Sequence, residues 1–306
     1  MHLQFSGRYR LQVFHGDTDI LLKDTGWFDN LITDNGLNLL GADYTPRCYV
    51  GSDSATPTTS DTSIAGVLAS ATGLNGAGGV QVSSAPYYGY MQRSFVFSIG
   101  AIQGTIRQVA IGSSDTNLFS KALLTAVDGS PTTLTLSGVD RLTLTYELRQ
   151  CINTGDFSGS IDINGTTFDY AGRACEIDDA SYWRPSLGMA MGTSTSGNAR
   201  LYCSLRTGAT ALGTVLTNPN GTTVASSLSG KDAYVANSYT MPMWSEWYDT
   251  LGLLTNINAF DLGTLLFTTT TFSMGGRWQF LLDGSVEKTQ YQKLRIEWAY
   301  TWGRCA

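Results

Sequence analysis

Alternation of apolar and polar residues with a period of two runs through most of this chain. From Gly7 to His15, Tyr9, Leu11 and Val13 fall on one face and Arg8, Arg10 and Gln12 on the other, the pattern of a half-buried strand. Gly16-Asp17 supplies a turn, and Asp19 to Lys23 reads as the returning strand. Phe95, Phe97 and Ile99 alternate, Gly104 to Ile111 follows, and Asn117 to Val127 leads into an Asp128-Gly129-Ser130 turn. Leu142, Leu144, Tyr146 and Leu148 then interleave with Arg141, Thr143, Thr145 and Glu147 in a strand that ends at Cys151. Further on, Ile161 to Phe168 predicts a hairpin about Asn164-Gly165. Arg200 to Leu205 and Thr214 to Ala225, the latter turning at Asn220-Gly221, predict more strands. Leu294, Ile296, Trp298, Tyr300 and Trp302 form the apolar face of the closing strand, opposite Lys293, Arg295, Glu297 and Thr301.

Two stretches switch to helical spacing. Phe28, Leu31, Ile32, Leu39 and Leu40 predict a helix near residues 30–40, capped by Asn30 and stopped at Gly41. Ile64, Val67 and Leu68 predict a shorter one from Thr62 to Ser70, and Gly51 to Pro57 is a loop by composition. Asn153-Thr154-Gly155-Asp156 and the Ser and Gly residues after Phe157 read as a linker. The expectation is an all-β protein of two β-sandwich-like domains, residues 1–152 and 153–306, with one or two short helices in the first.

Charge refines this picture. Charged residues make up 14% of the 306, below the usual ~25% of soluble domains, and 34 glycines together with Ser, Thr and Asn take their place. Such a surface suits broad protein–protein burial. The net charge is −6 and the 19 Lys and Arg residues are scattered singly, so no basic stripe exists for nucleic acid. No run of apolar residues is long enough for a membrane-spanning helix, and the start of the chain lacks the pattern of a secretory signal. Five cysteines are widely spaced without a C-x-x-C pair, and His2 and His15 are the two histidines, which argues against a zinc site. The expectation for the cysteines is reduced, mostly buried thiols, with Cys305 the most exposed.

A set of blocks in fixed order carries a resemblance. They are Asp29 to Gly41, Cys48-Tyr49-Val50-Gly51-Ser52, Met91 to Phe97, Ile106 to Gly112, Leu118 to Leu123 and the strand Arg141 to Arg149. In that order they resemble structural proteins encoded in the tail, baseplate or fibre gene clusters of tailed bacteriophages. The resemblance covers residues 1–152 and, in the second half, little beyond Trp302-Gly303-Arg304. It implies a virion structural role without catalytic residues or cofactor. The expected location is the virion tail, after assembly in the bacterial host cytoplasm. The expected partners are copies of the chain itself, as a trimer or larger ring, and other tail or baseplate proteins. The alternatives are a head decoration or collar protein, and a tail-associated polysaccharide depolymerase.

No phosphate loop, G-x-S-x-G elbow, H-E-x-x-H or dinucleotide fingerprint occurs. Two aromatic–acidic groups stand out: Glu176, Asp178 and Asp179 before Tyr182, Trp183 and Arg184, and Trp244, Glu246, Trp247, Tyr248 and Asp249. Aromatic rings beside carboxylates fit either subunit-interface anchors or a host-surface glycan, with the interface favoured. The loop holding Asp53 and Asp61 matches no calcium-loop spacing. The sequons at Asn164 and Asn220 read better as hairpin turns.

Overall fold

The computed structural model describes residues 1–163, 165–191, 200–248, 253–265 and 275–305. It is all-β, as the alternation predicts. The first half contains β1 (His2–His15), β2 (Leu21–Asp24), β3 (Phe28–Asp29), β4 (Leu31–Ile32), helix α1 (Asp34–Leu39), β5 (Arg47–Gly51), β6 (Val67–Gln81) and β7 (Tyr88–Phe97). Then come β8 (Gly104–Ile106), β9 (Gln108–Ser114), β10 (Asn117–Leu123), β11 (Leu134–Leu136) and β12 (Asp140–Cys151). The second half contains β13 (Phe157–Ile163), β14 (Thr166–Ala174), helix α2 (Ala180–Trp183), β15 (Arg200–Thr207) and β16 (Thr222–Lys231). It closes with β17 (Thr240–Trp247), β18 (Leu254–Leu265), β19 (Arg277–Lys288) and β20 (Leu294–Arg304).

In the first half, β1 lies antiparallel to the whole of β12, Gln4 opposite Cys151 through His15 opposite Asp140, and β12 continues to β7. The long β6 links two sheets: residues 73–81 pair with β7, while residues 67–72 bend away to pair with β5, which runs on to β9, β10 and β4. Apolar faces of both sheets meet in the core, where Tyr9, Leu11, Phe95, Leu144, Tyr146 and Phe119 are fully buried. On β12 the predicted apolar face is buried, but the opposite face is not simply solvent. Glu147 is also buried, accepting hydrogen bonds from Arg8, Gln92 and Arg149.

Several expectations need correction. The helix near 30–40 spans only Asp34–Leu39 and is capped by Thr33, whose hydroxyl accepts from the Gly36 amide. Phe28 and Ile32 mimic helical spacing, but each belongs to a two-residue strand paired with β1 or β10. The helix predicted over 62–70 is a loop followed by the start of β6. Gly66 sits at φ +59°, and Val67–Ser70 are drawn into pairing with β5. The second short helix, α2, lies in the second half. Residues 214–220 form turns rather than a strand, whereas the hairpin of residues 161–168 forms, with Gly165 at φ +78° and Asn164 outside the described residues.

In the second half the strands follow one another as β13–β14–β19–β18–β15–β16–β17–β20, each pair antiparallel. This curled sheet stops short of closing: among the described residues no ladder joins β13 to β20. The halves are tied together at their ends. β1 pairs in parallel with β20, His2 opposite Thr301 through Phe5 opposite Arg304, and one apolar core runs through residues of both halves.

The expectation of five reduced thiols is overturned for two of them. Cys151 and Cys305, 154 positions apart in sequence, form a disulfide, so Cys305 is not a free exposed thiol. Cys48, Cys175 and Cys203 are free and buried, and burial pushes each thiol well up from its ordinary value.

Candidate functional site

The two aromatic–acidic groups land in different environments. On β17, period two separates the second group. Trp247 is fully buried with Met241 and Met243, whereas Trp244, Glu246 and Tyr248 share the other face. There β20 lies alongside, with Trp244 opposite Glu297 and Glu246 opposite Arg295. The Glu246 carboxylate accepts from Lys293 Nζ at 2.7 Å and from Arg295 at 2.8 Å. The Arg295 guanidinium stacks over Trp244 at 5.0 Å, and Lys293 sits over Tyr248 at 5.3 Å. The Lys293 and Arg295 hydrogen bonds push the Glu246 carboxyl down to about 2, outweighing its desolvation. Gly230, opposite Trp244 on β16, leaves its face bare so that the indole can lie across it; a Cβ there would overlap the ring. Asp249 lies outside the described residues.

The first group is folded inward. Trp183 is buried, donates Nε1–H to the Cys175 carbonyl at 3.1 Å and packs edge-on against Trp278. Its backbone presses on Gly89 of β7, so α2 joins the two halves where only glycine fits. Tyr182 stacks on Arg277 at 4.6 Å and accepts from its guanidinium at 2.6 Å; burial raises the phenol to about 12. Arg277 also binds Glu176 and the buried Asp261, which Arg206 holds from its other side at 3.0 Å. Desolvation raises the Glu176 carboxyl despite Arg277. Asp179 caps α2 through the Ser181 amide. Glu176 and Asp179 are therefore engaged in the fold, while Asp178 is exposed. In the other acidic loop, Asp53 accepts from the Ala55 amide and Asp61 binds Lys121 at 3.0 Å.

Two surface features were not apparent in the sequence. The first is an apolar tip on the first half. Ile20, Leu21 and Leu22 are consecutive and exposed at 60, 47 and 48%, and every residue of β2 faces solvent. Val139 joins this tip, because its carbonyl accepts from Gly16 in the same hairpin, and Ile99 precedes Gly100, which bonds Asp140. Val127, 83% exposed, lies against Gly26 just beyond β2.

The second feature is a cavity of about 540 Å³ at the open seam between β13 and β20. Its deep part is made by the buried Phe260, Leu262, Trp278 and Phe280. Phe157, Ile161 and Tyr170 reach in from the β13–β14 hairpin, and Ile296 and Trp298 from β20. Register explains the two hairpin rings: Phe157 lies opposite Gly172 and Tyr170 opposite Gly159, so each ring covers a bare glycine. The exposed His2, Asn153, Asp156, Ser160 and Glu297 stand at the mouth. Among the described residues no group of three or more His, Cys, Asp or Glu side chains is placed to share a metal ion. No family model, curated protein or solved structure matches this chain.

Proposed function

We propose that this chain is a structural protein of a bacteriophage tail, baseplate or fibre, and that it works by packing against copies of itself and neighbouring tail proteins. The observation that carries the packing role is the apolar tip. Single exposed apolar residues are ordinary on a protein surface, but a contiguous patch marks an interaction site. Ile20 at the turn and Leu21 and Leu22 at the start of the exposed strand β2, with Val139 held to the same turn, make such a patch. The placement in a tail rests on the ordered blocks of residues 1–152.

Immunogold electron microscopy with polyclonal antibodies raised against the whole chain tests the placement. Gold at the tail tip or baseplate agrees with the proposal. Gold on the head favours the decoration reading, and virions without label contradict a virion role.

A further inference from the structure

We infer that the cavity at the β13–β20 seam is a binding site for a neutral saccharide of one or two pyranose rings. The inference goes beyond the assembly role, which rests on the opposite half of the chain.

Size comes first. A volume of about 540 Å³ lies within the range of small-molecule sites, roughly 300–1,000 Å³. Lining chemistry then selects the ligand. Its walls carry the half-buried rings of Phe157, Tyr170 and Trp298 above the buried Trp278 and Phe280, and the C–H face of a pyranose packs against such rings. Among the described residues no Lys or Arg side chain lines it, so an anionic ligand finds no guanidinium or lysine ammonium there. A cationic ligand is equally poorly served. The two carboxylates at the mouth are already neutralised from outside, Asp156 by Arg173 at 2.5 Å and Glu297 by Arg295 at 2.6 Å.

Uncharged donors and acceptors remain. His2 uses Nδ1 on Thr301 and keeps Nε2, and Asn153 uses Oδ1 on the Gly155 amide and keeps its NH₂. The main chain adds more. The Ala299 carbonyl and Thr301 amide point from β20 toward Met1, and by the two-residue period of a strand the backbone of Glu297 points the same way, into the seam. Hydroxyls of a sugar are matched to such a rim, since each both donates and accepts. An entirely apolar ligand would gain nothing from these groups.

Tryptophan fluorescence and calorimetry of the full chain, titrated with maltose, cellobiose and N,N′-diacetylchitobiose, test this directly, with choline, glucuronate and benzyl alcohol as comparison probes. At least one neutral disaccharide should bind with a dissociation constant of about 0.1–10 mM, as expected for a ligand of this size. Asn153→Trp, an exposed loop position at the mouth whose new indole narrows the entrance, should weaken that binding at least about tenfold while leaving the circular dichroism unchanged. Trp298→Ala should do the same by removing a wall. Absence of binding by all three disaccharides, binding that survives both substitutions, or tighter binding of choline, glucuronate or benzyl alcohol would each overturn the inference. None of these outcomes bears on the apolar tip.

Discussion

Removing the Cys151–Cys305 bond by Cys305→Ser should produce one of the largest single losses of stability in this chain. The bond joins residues 154 apart. Closing a loop of that length in the unfolded chain costs about 17 cal/mol/K in the chain-entropy treatment, or about 5 kcal/mol at 25 °C. For 306 residues the unfolding entropy near the transition is about 0.64 kcal/mol/K, so the loss corresponds to a midpoint lowered by about 8 °C. The fold should survive, because His2–Phe5 still pair with Thr301–Arg304 and the Cys305 amide still donates to the Phe5 carbonyl. Differential scanning calorimetry of the wild type with and without reductant, beside the variant, measures the shift. Thiol titration of the unfolded chain supplies the count: three reactive thiols without reductant and five after reduction, from five cysteines of which Cys48, Cys175 and Cys203 are free. Five thiols before reduction, or a midpoint insensitive to reductant, would refute the reasoning.

Other perturbations probe the core and its charges. Leu144→Asp places a charge among fully buried apolar residues and should cost about 3–5 kcal/mol in urea unfolding, while Thr143→Asp on the other face costs far less. Gly89→Ala should destabilise by about 1–3 kcal/mol, because the new methyl overlaps the Trp183 backbone and α2 must shift. Arg277→Met should cost about 3–5 kcal/mol by leaving Asp261 buried with half its ion pairing, so a neutral result would refute the network. Stability should also fall in acid. Burial by itself raises the Glu147 carboxyl, but Gln92, Arg8 and Arg149 outweigh it and hold the folded value below the unfolded one, and Glu246 is held at about 2. A depressed folded pKa contributes stability above the unfolded value and loses it as pH falls through the folded one, so the urea midpoint should drop between about pH 4.5 and 2. Glu147→Gln should flatten that drop, and an unchanged slope would contradict the assignment.

Legibility in the sequence followed how local the deciding interaction is. β1, β12 and β20 are long and strictly alternating, and each is where the alternation places it. The short strands β3 and β4 were lost because two residues carry no period, and their partners, β1 and β10, lie far away in sequence. On β17 the signal was present. Met241, Met243 and Trp247 alternate with Trp244, Glu246 and Tyr248, so period two alone separates the buried Trp247 from the surface group. Treating the five residues as one cluster obscured it. The disulfide left a trace as well, since both halves end on a long amphipathic strand followed by a cysteine. Pairing them required knowing that β12 and β20 both flank the start of β1. The cavity left none, because its lining comes from β1, β12, α2, β13, β14, β18, β19 and β20, brought together only by the order of the curled sheet and its junction with β1. Aromatics opposite glycines, as in Phe157 with Gly172, emerge only once the register is known.

Sedimentation of the purified chain measures the assembly claim most directly, comparing the wild type with Leu22→Glu on the exposed strand β2. The wild type should sediment as a closed oligomer at micromolar concentration. The variant, with a charge in the middle of the apolar tip, should sediment as a monomer with an unchanged β spectrum. A wild type that stays monomeric at the highest concentration reached, or a variant that assembles as the wild type does, would contradict the claim.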